Sequence, residues 1–311
     1  MNVSFSVEVV PKDPLWKLSM ASVLIERHGF DGIWVSDHFF NRNCFITLAT
    51  LSRYTRRILL GPAVVNPYVV HPVLMAQNAA TLWELCPGRV RFAVGAGDAS
   101  SLKQLGFVRE KPVEKVVKAV ETMREYLTKL DTYKIPDLKI YVGAQSPRMM
   151  EAASVVADGV LVNWSNLEML RNSLKHIASE GKKAFAKAAY VITSVHDDIE
   201  KAWKTAVPYA AYLMTGASEK HLEKAGVTDE HREEVEKLLA TRQWDELYHV
   251  AKDDWVKFFS FYGKPSQLEG FVSEALAMGY GEIVFAGPLG PRYLKALKNI
   301  ASICRSVRRR R

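Results

Sequence analysis

Cysteine is scarce in this 311-residue chain: Cys44, Cys86 and Cys304 stand far apart, and none forms a CxxC pair. That excludes a disulfide frame and a cysteine-ligated zinc site. Cys44 falls between a strand and a helix, where it either lines a pocket or packs as a small apolar thiol. Long hydrophobic runs are missing too, since no apolar stretch approaches the length of a membrane span. The opening MNVSFSVEVV lacks the basic segment and long apolar core of a signal peptide. The expected location is the cytoplasm, with no membrane partner. No loop holds two histidines and the acids are spread over different segments, so no metal site is expected. GxSxG, the Walker loop and HExxH are all absent. The formal charge of +8 leans on the closing RSVRRRR, which supplies five arginines. That run reads as a solvated helix end, where cations suit the helix C-terminus. No basic stripe interleaves with aromatics, so no nucleic-acid partner is expected.

What is present is a rhythm. With 48% hydrophobic and 24% charged residues the chain has an ordinary globular composition. Short apolar strands run into turns of small and polar residues, and each turn opens an amphipathic helix. The clearest case is VRFAVGAGDAS, 90–100: an apolar strand entering the turn Gly95-Ala96-Gly97-Asp98. Glycines there let backbone N–H groups approach a ligand. A single GxG without its second half is not a dinucleotide fingerprint. The pattern repeats at WVSDHFFNRN, LLGPAVVNPY, IYVGAQSPRM and LVNWSN.

Eight strands are expected: Val3–Val10, Gly32–Ser36, Ile58–Leu60, the one opening at Val90, Lys139–Val142, Val160–Asn163, Ala189–Val195 and Glu282–Ala286. Each is followed by helix. Strict alternation favours parallel strands with right-handed crossovers. Eight units at this length favour a closed (β/α)8 barrel, a TIM barrel, formed as one domain over residues 1–311. The stretch from Ile199 to Tyr262 reads as helical throughout, with breaks at Gly216 and Gly226. It would form a helical excursion after the seventh strand.

In such a barrel the functional mouth lies at the carboxyl ends of the strands. The residues delivered there include Glu8, Asp37, His38, Asn66, Asp98, Gln145, Ser146, Asn163 and Ser165. Phe39, Phe40, Val64, Val65 and Trp164 would form its apolar walls. A mouth of glycines, amides and a few acids suits an organic cofactor that carries the chemistry while the protein orients it. GAQSPRM places Ser146 and Arg148 at a helix start. That is either a phosphate site or a plain N-cap followed by proline. Each acid has an ordinary role available as well. Glu8 suits an internal ion pair, Asp37 a helix cap or a partner for Arg42, and Asp98 a turn.

GFDGIWVSDHFF resembles the luciferase-like superfamily of flavin and deazaflavin barrels. Within it the chain resembles the F420-dependent methylenetetrahydromethanopterin reductases of archaea. VEVVPKDP, LGPAVVNPYVVHP, VGAGDASSLKQLGF, IYVGAQSPRMM, ASVVADGVLVNWSN, AYLMTGASEKHLEKAGV and AGPLGP carry the likeness in order along nearly the whole chain. The resemblance implies a luciferase-like barrel and coenzyme F420, with FMN and oxygen chemistry as the alternative. It implies an oxidoreductase that exchanges a hydride between reduced F420 and a tetrahydromethanopterin-type one-carbon carrier, or an F420 enzyme acting on another substrate. Glu8 and Asp98 match the acids at the reacting rings. Asp37, His38, Asn66, Gly97 and Asn163 fall in the cofactor pocket. A cis non-proline peptide is implied at Ala63–Val64, behind the deazaflavin ring. The cofactor phosphate is implied near Gly143, Ala144, Gln145 and Ser146. Relatives are often dimers or tetramers, so self-association is expected. The chain departs from the pattern in a short LDTYKIPDLK segment and in Val65, Val70 and Ala99, all at the rim.

Overall fold

The computed structural model describes residues 3–130, 135, 137–178 and 185–310. Its strands are β1 (Ser4–Val9), β2 (Gly32–Val35), β3 (Leu59–Pro62), β4 (Arg91–Val94), β5 (Lys139–Ala144), β6 (Gly159–Val162), β7 (Ala186–Val195), β8 (Phe261–Gly263) and β9 (Glu282–Leu289). The helices of the first half are α1 (Leu15–Arg27), α2 (Cys44–Tyr54), α3 (Pro72–Leu85), α4 (Ala99–Gln104), α5 (Pro112–Thr128), α6 (Pro147–Val156) and α7 (Leu167–Leu174). Those of the second half are α8 (Ile199–Thr215), α9 (Glu219–Lys224), α10 (Asp229–Thr241), α11 (Trp244–Val250), α12 (Asp253–Phe259), α13 (Pro265–Ala277) and α14 (Tyr293–Arg309).

The strand order is β3-β2-β1-β9-β7-β6-β5-β4. Bridges Leu60↔Val90 and Val65↔Val94 join the two ends of that order, so the eight parallel strands close on themselves. This is the expected TIM barrel. Register runs Glu8↔Trp34↔Gly61 across β1, β2 and β3, and Tyr141↔Gly159 and Gly143↔Leu161 across β5 and β6. Helix starts follow local chemistry. Proline occupies the first turn of α3, α5, α6 and α13, where its missing N–H costs no hydrogen bond.

The excursion departs from the expectation. Ile199–Tyr262 is not helical throughout: it is five helices, and it ends in the short strand β8, a ninth. Ser260 closes α12 by returning its N–H and its hydroxyl to the Val256 carbonyl. Phe261 and Tyr262 are β-favouring aromatics and then pair with Thr193 and Ser194 of β7. Gly216 and Gly226 do mark breaks, at the ends of α8 and α9. The short LDTYKIPDLK segment lies partly outside the described residues, as does Arg311 of the arginine run.

The chain divides into two compact units. One comprises Met1–Asn163, Asn172–Ala188 and Tyr280–Val284; the other comprises Trp164–Arg171, Ala189–Gly279 and Phe285–Arg311. In the first unit the strand interior holds an ion pair. The Arg91 guanidinium donates to both Glu282 oxygens, at 2.8 and 2.9 Å, and to Ser6 Oγ at 2.9 Å. It stacks over Trp34, 3.8 Å from the ring centroid, while Tyr141 meets Trp34 edge-on. All of these side chains are buried. In the second unit Trp164 is buried against His221, Phe258 and Phe259. Trp164 is therefore core and not a wall of the mouth, and fully buried Val65 is core as well.

Candidate active site

Every residue expected at the cofactor or the reacting centre lies in the first unit, on the carboxyl ends of β1–β6 or the turns that follow. Glu8 is half-buried on β1. It lies on the same side of the strand as Ser6, because side chains alternate along a strand. An internal ion pair joins Arg91 and Glu282. Those two partners are 191 residues apart, and nothing in either one's local sequence marks it.

After β3 the chain makes a bulge, with the Ala63–Val64 peptide cis, at the position the resemblance implies. Val65 donates to the Ala93 carbonyl at 2.9 Å, and Gly95 donates to the Val65 carbonyl at 3.0 Å, so the bulge is tied to β4. Val64 rests on two glycines. A Cβ on Gly95 would lie 2.5 Å from a Val64 methyl, and one on Gly143 would lie 2.6 Å from the other. No real side chain tolerates such distances. β4 and β5 therefore keep glycine where the Val64 side chain crosses them.

Asn66 is buried and works locally. Its carbonyl accepts from Tyr68 N at 2.9 Å and its amide donates to the Ala96 carbonyl at 3.3 Å. Gly97 has φ +67, and a Cβ there would strike the Asn66 amide nitrogen at 2.1 Å. Asn66 and Gly97 thus lock the bulge to the β4 turn. Asp98 accepts from Ser101 N at 2.8 Å and caps the short α4, the turn role open to it from sequence.

Asp37 neither caps α2 nor pairs with Arg42. Asn43 caps the helix, accepting from Phe45 N and Ile46 N, and Arg42 donates to the Lys12 carbonyl. Asp37 instead takes a hydrogen bond from the Cys44 thiol. Burial pushes the Asp37 carboxyl upward, and the thiol hydrogen bond works against it. Burial and the Asp37 charge push the Cys44 thiol far up, so it is an unreactive buried sulfur. Burial lowers His38, Lys12 lowers it further and Asp98 opposes them. The imidazole is therefore neutral near pH 7.

On the opposite side, Gln145 Nε2 donates to the Asn163 carbonyl at 3.1 Å and joins the ends of β5 and β6. Ser146 caps α6 through Met149 N at 3.4 Å, with Pro147 next. The capping role is real and still leaves the helix start available to an anion. Asn163 Oδ1 is buried without a hydrogen-bond partner among the described residues. Ser165 belongs to the second unit and accepts from Ile192 N at 2.9 Å, a structural bond. No group of three or more metal-ligating side chains occurs among the described residues. No helix among them is long and apolar enough to cross a membrane.

A parallel barrel with acids and small-residue turns at its carboxyl mouth and a bulge after β3 defines a cofactor-binding (β/α)8 protein. The chain belongs to the luciferase-like monooxygenase family, which it matches over residues 17–279. It is 30% identical over 320 residues to the 5,10-methylenetetrahydromethanopterin reductase of Methanolobus tindarius, covering 96% of this chain and 98% of that one. It is 30% identical over 323 residues to the enzyme of the same name from Archaeoglobus fulgidus, covering 96% and 97%. Among solved structures it is similar to the coenzyme F420 dependent tetrahydromethanopterin reductase from Methanopyrus kandleri. That match has a TM-score of 0.86 at 26% identity and covers 97% of this chain and 98% of that one.

Proposed function

We infer that this protein is a coenzyme F420-dependent oxidoreductase. It passes a hydride between reduced F420 and the methylene carbon of a tetrahydromethanopterin-type one-carbon carrier. Relatives that bear the reductase name and match nearly end to end support this reading. The observation that carries it is the Val64 bulge seated on Gly95 and Gly143, an apolar element that would support a planar ring. Asn163 Oδ1 adds a buried acceptor that a ligand donor would satisfy.

The residues present fit such a cofactor. Val64 and Ala63 would back its ring, and the backbone from Gly143 to Ser146, at the start of α6, would hold its phosphate. Gly97, kept close to Asn66, lets the β4 turn approach the ring, and neutral His38 is available as a hydrogen-bonding partner. When bound, reduced F420 supplies the hydride. Hydride addition at the substrate's methylene carbon opens its five-membered ring, and the departing nitrogen takes a proton. Glu8 is the group proposed to hold that proton on its carboxyl, and Asp98, after β4, is a second acid at the mouth. The fixed strand ends contribute alignment of the two rings.

The test is an anaerobic assay of purified protein with reduced F420 and methylenetetrahydromethanopterin, following the return of oxidised F420 absorbance. Turnover without oxygen is expected. Glu8→Gln is expected to lose at least about a hundredfold in kcat while binding F420 as the wild type does. Near-normal turnover of that variant would remove Glu8 from the mechanism. A purified protein that retains FMN and consumes oxygen would replace the whole reading. Self-association is part of the proposal and is argued at the scale of the whole molecule below.

A further inference from the structure

Asn163 Oδ1 and Ser36 Oγ, at strand ends of the first unit, are two of four buried side-chain polar atoms with no hydrogen-bond partner among the described residues. Folded proteins rarely leave such atoms unpaired, because the lost contact with water goes uncompensated. The direction of Ser36 follows from the strand. Ser36 N donates to the Val9 carbonyl at 3.2 Å and so extends β2 by one rung. Gly32, Trp34 and Ser36 then share a side. The Trp34 ring lies inside the barrel, against Arg91 and Tyr141. Ser36 follows it on the same side, one step nearer the mouth. The residue is half-buried while its hydroxyl oxygen is fully buried.

Asn163 reaches the mouth by the same logic. Its N–H bonds to the Ala144 carbonyl at 3.1 Å, extending β6. It shares a side with Gly159, whose absent Cβ would lie 2.6 Å from the interior Tyr141 ring. β2 and β6 are four steps apart through β3, β4 and β5 in a ring of eight strands. The two orphan atoms therefore sit on opposite walls, and one ligand group cannot satisfy both. Ser36 needs a partner of its own, between Glu8 on β1 and the bulge after β3.

We propose that Ser36 is a ligand-binding residue of the mouth whose hydroxyl bonds the alternating N–H and C=O edge of a bound heterocycle. This assignment rests on the function inferred above. Both ligands of that function carry such an edge, the deazaflavin and the pterin, each on its pyrimidine ring.

The experiment measures two dissociation constants for wild type, Ser36→Ala and Ser36→Thr: oxidised F420 by its fluorescence, and tetrahydromethanopterin by calorimetry on F420-loaded protein. Ser36→Ala is expected to weaken one ligand by about 5–30-fold, leave the other within about twofold and keep the wild-type melting curve. Ser36→Thr, which keeps the hydroxyl, is expected to restore the loss. The ligand that weakens identifies the source of the edge. Ser36→Ala binding both ligands as wild type does would overturn the assignment. So would a uniform loss of both with a lowered melting temperature, which would make the residue structural. Wild-type protein that binds neither ligand would overturn the functional reading and the assignment together.

Discussion

Glu26 shows how a single side chain can organise a connection. It sits in the last turn of α1, where an acid opposes the helix dipole. Its carboxylate accepts backbone N–H bonds from Arg56 at 3.0 Å, Arg57 at 2.8 Å and Ile58 at 2.9 Å, gathering the turn into β3. Burial alone would raise its pKa, but those three bonds and the Arg57 charge outweigh burial, and the net shift is downward. A lowered folded pKa means that the stabilisation is fully present above the unfolded carboxylate value, about 4.3. It is lost as pH falls through the folded value. Urea unfolding should place Glu26→Gln about 1–2 kcal/mol below wild type at pH 7. The gap should narrow as pH falls below the unfolded value and close once it is below the lowered folded one. A gap that does not change with pH would show that the charge is irrelevant.

The bulge after β3 is the element on which the site depends, and it bounds what the sequence made visible. The strands were legible because each is a short apolar run ended by a small-residue turn. The position of the cis peptide at Ala63–Val64 came from family likeness and from no local propensity. The reason for Gly95 and Gly143 was hidden, because Val64 lies 31 and 79 positions from them in number but against them in space. The Arg91–Glu282 pair was invisible for the same reason. β8 was missed because three residues show no period, and Ser36 because a serine before an Asp-His pair has no chemistry of its own. Gly143→Ala tests the element. Its Cβ must displace Val64, which overpacking of this kind costs about 1–3 kcal/mol. F420 affinity should fall at least about tenfold, read by fluorescence titration, while the circular dichroism spectrum stays that of the folded barrel. Unchanged affinity would show that Val64 does not support the ring.

At the scale of the whole molecule the open question is what covers its apolar surface. Large side chains stand exposed on three consecutive helices of the first unit: Trp16 and Met20 on α1, Ile46 and Tyr54 on α2, Leu74 on α3. Trp16 and Met20 are one turn apart and share a face. α1 packs on α2 and α2 on α3, so the exposed side chains belong to adjoining helices. Scattered apolar residues on a surface are ordinary, whereas a rim of Trp, Met, Ile and Tyr on neighbouring helices is the composition of an interface core. Charge does not oppose self-association strongly. Five of the cations behind the net +8 lie in the closing run, where Arg310 pairs with Glu269 on α13 at 2.9 Å. Light scattering after size exclusion should therefore give a multiple of the chain mass. Trp16→Glu combined with Ile46→Glu should bring it down to the single chain without unfolding it, since both side chains are more than half exposed. A wild type that is already monomeric would show that these helices face water, and the oligomer expected from the family would not apply to this chain.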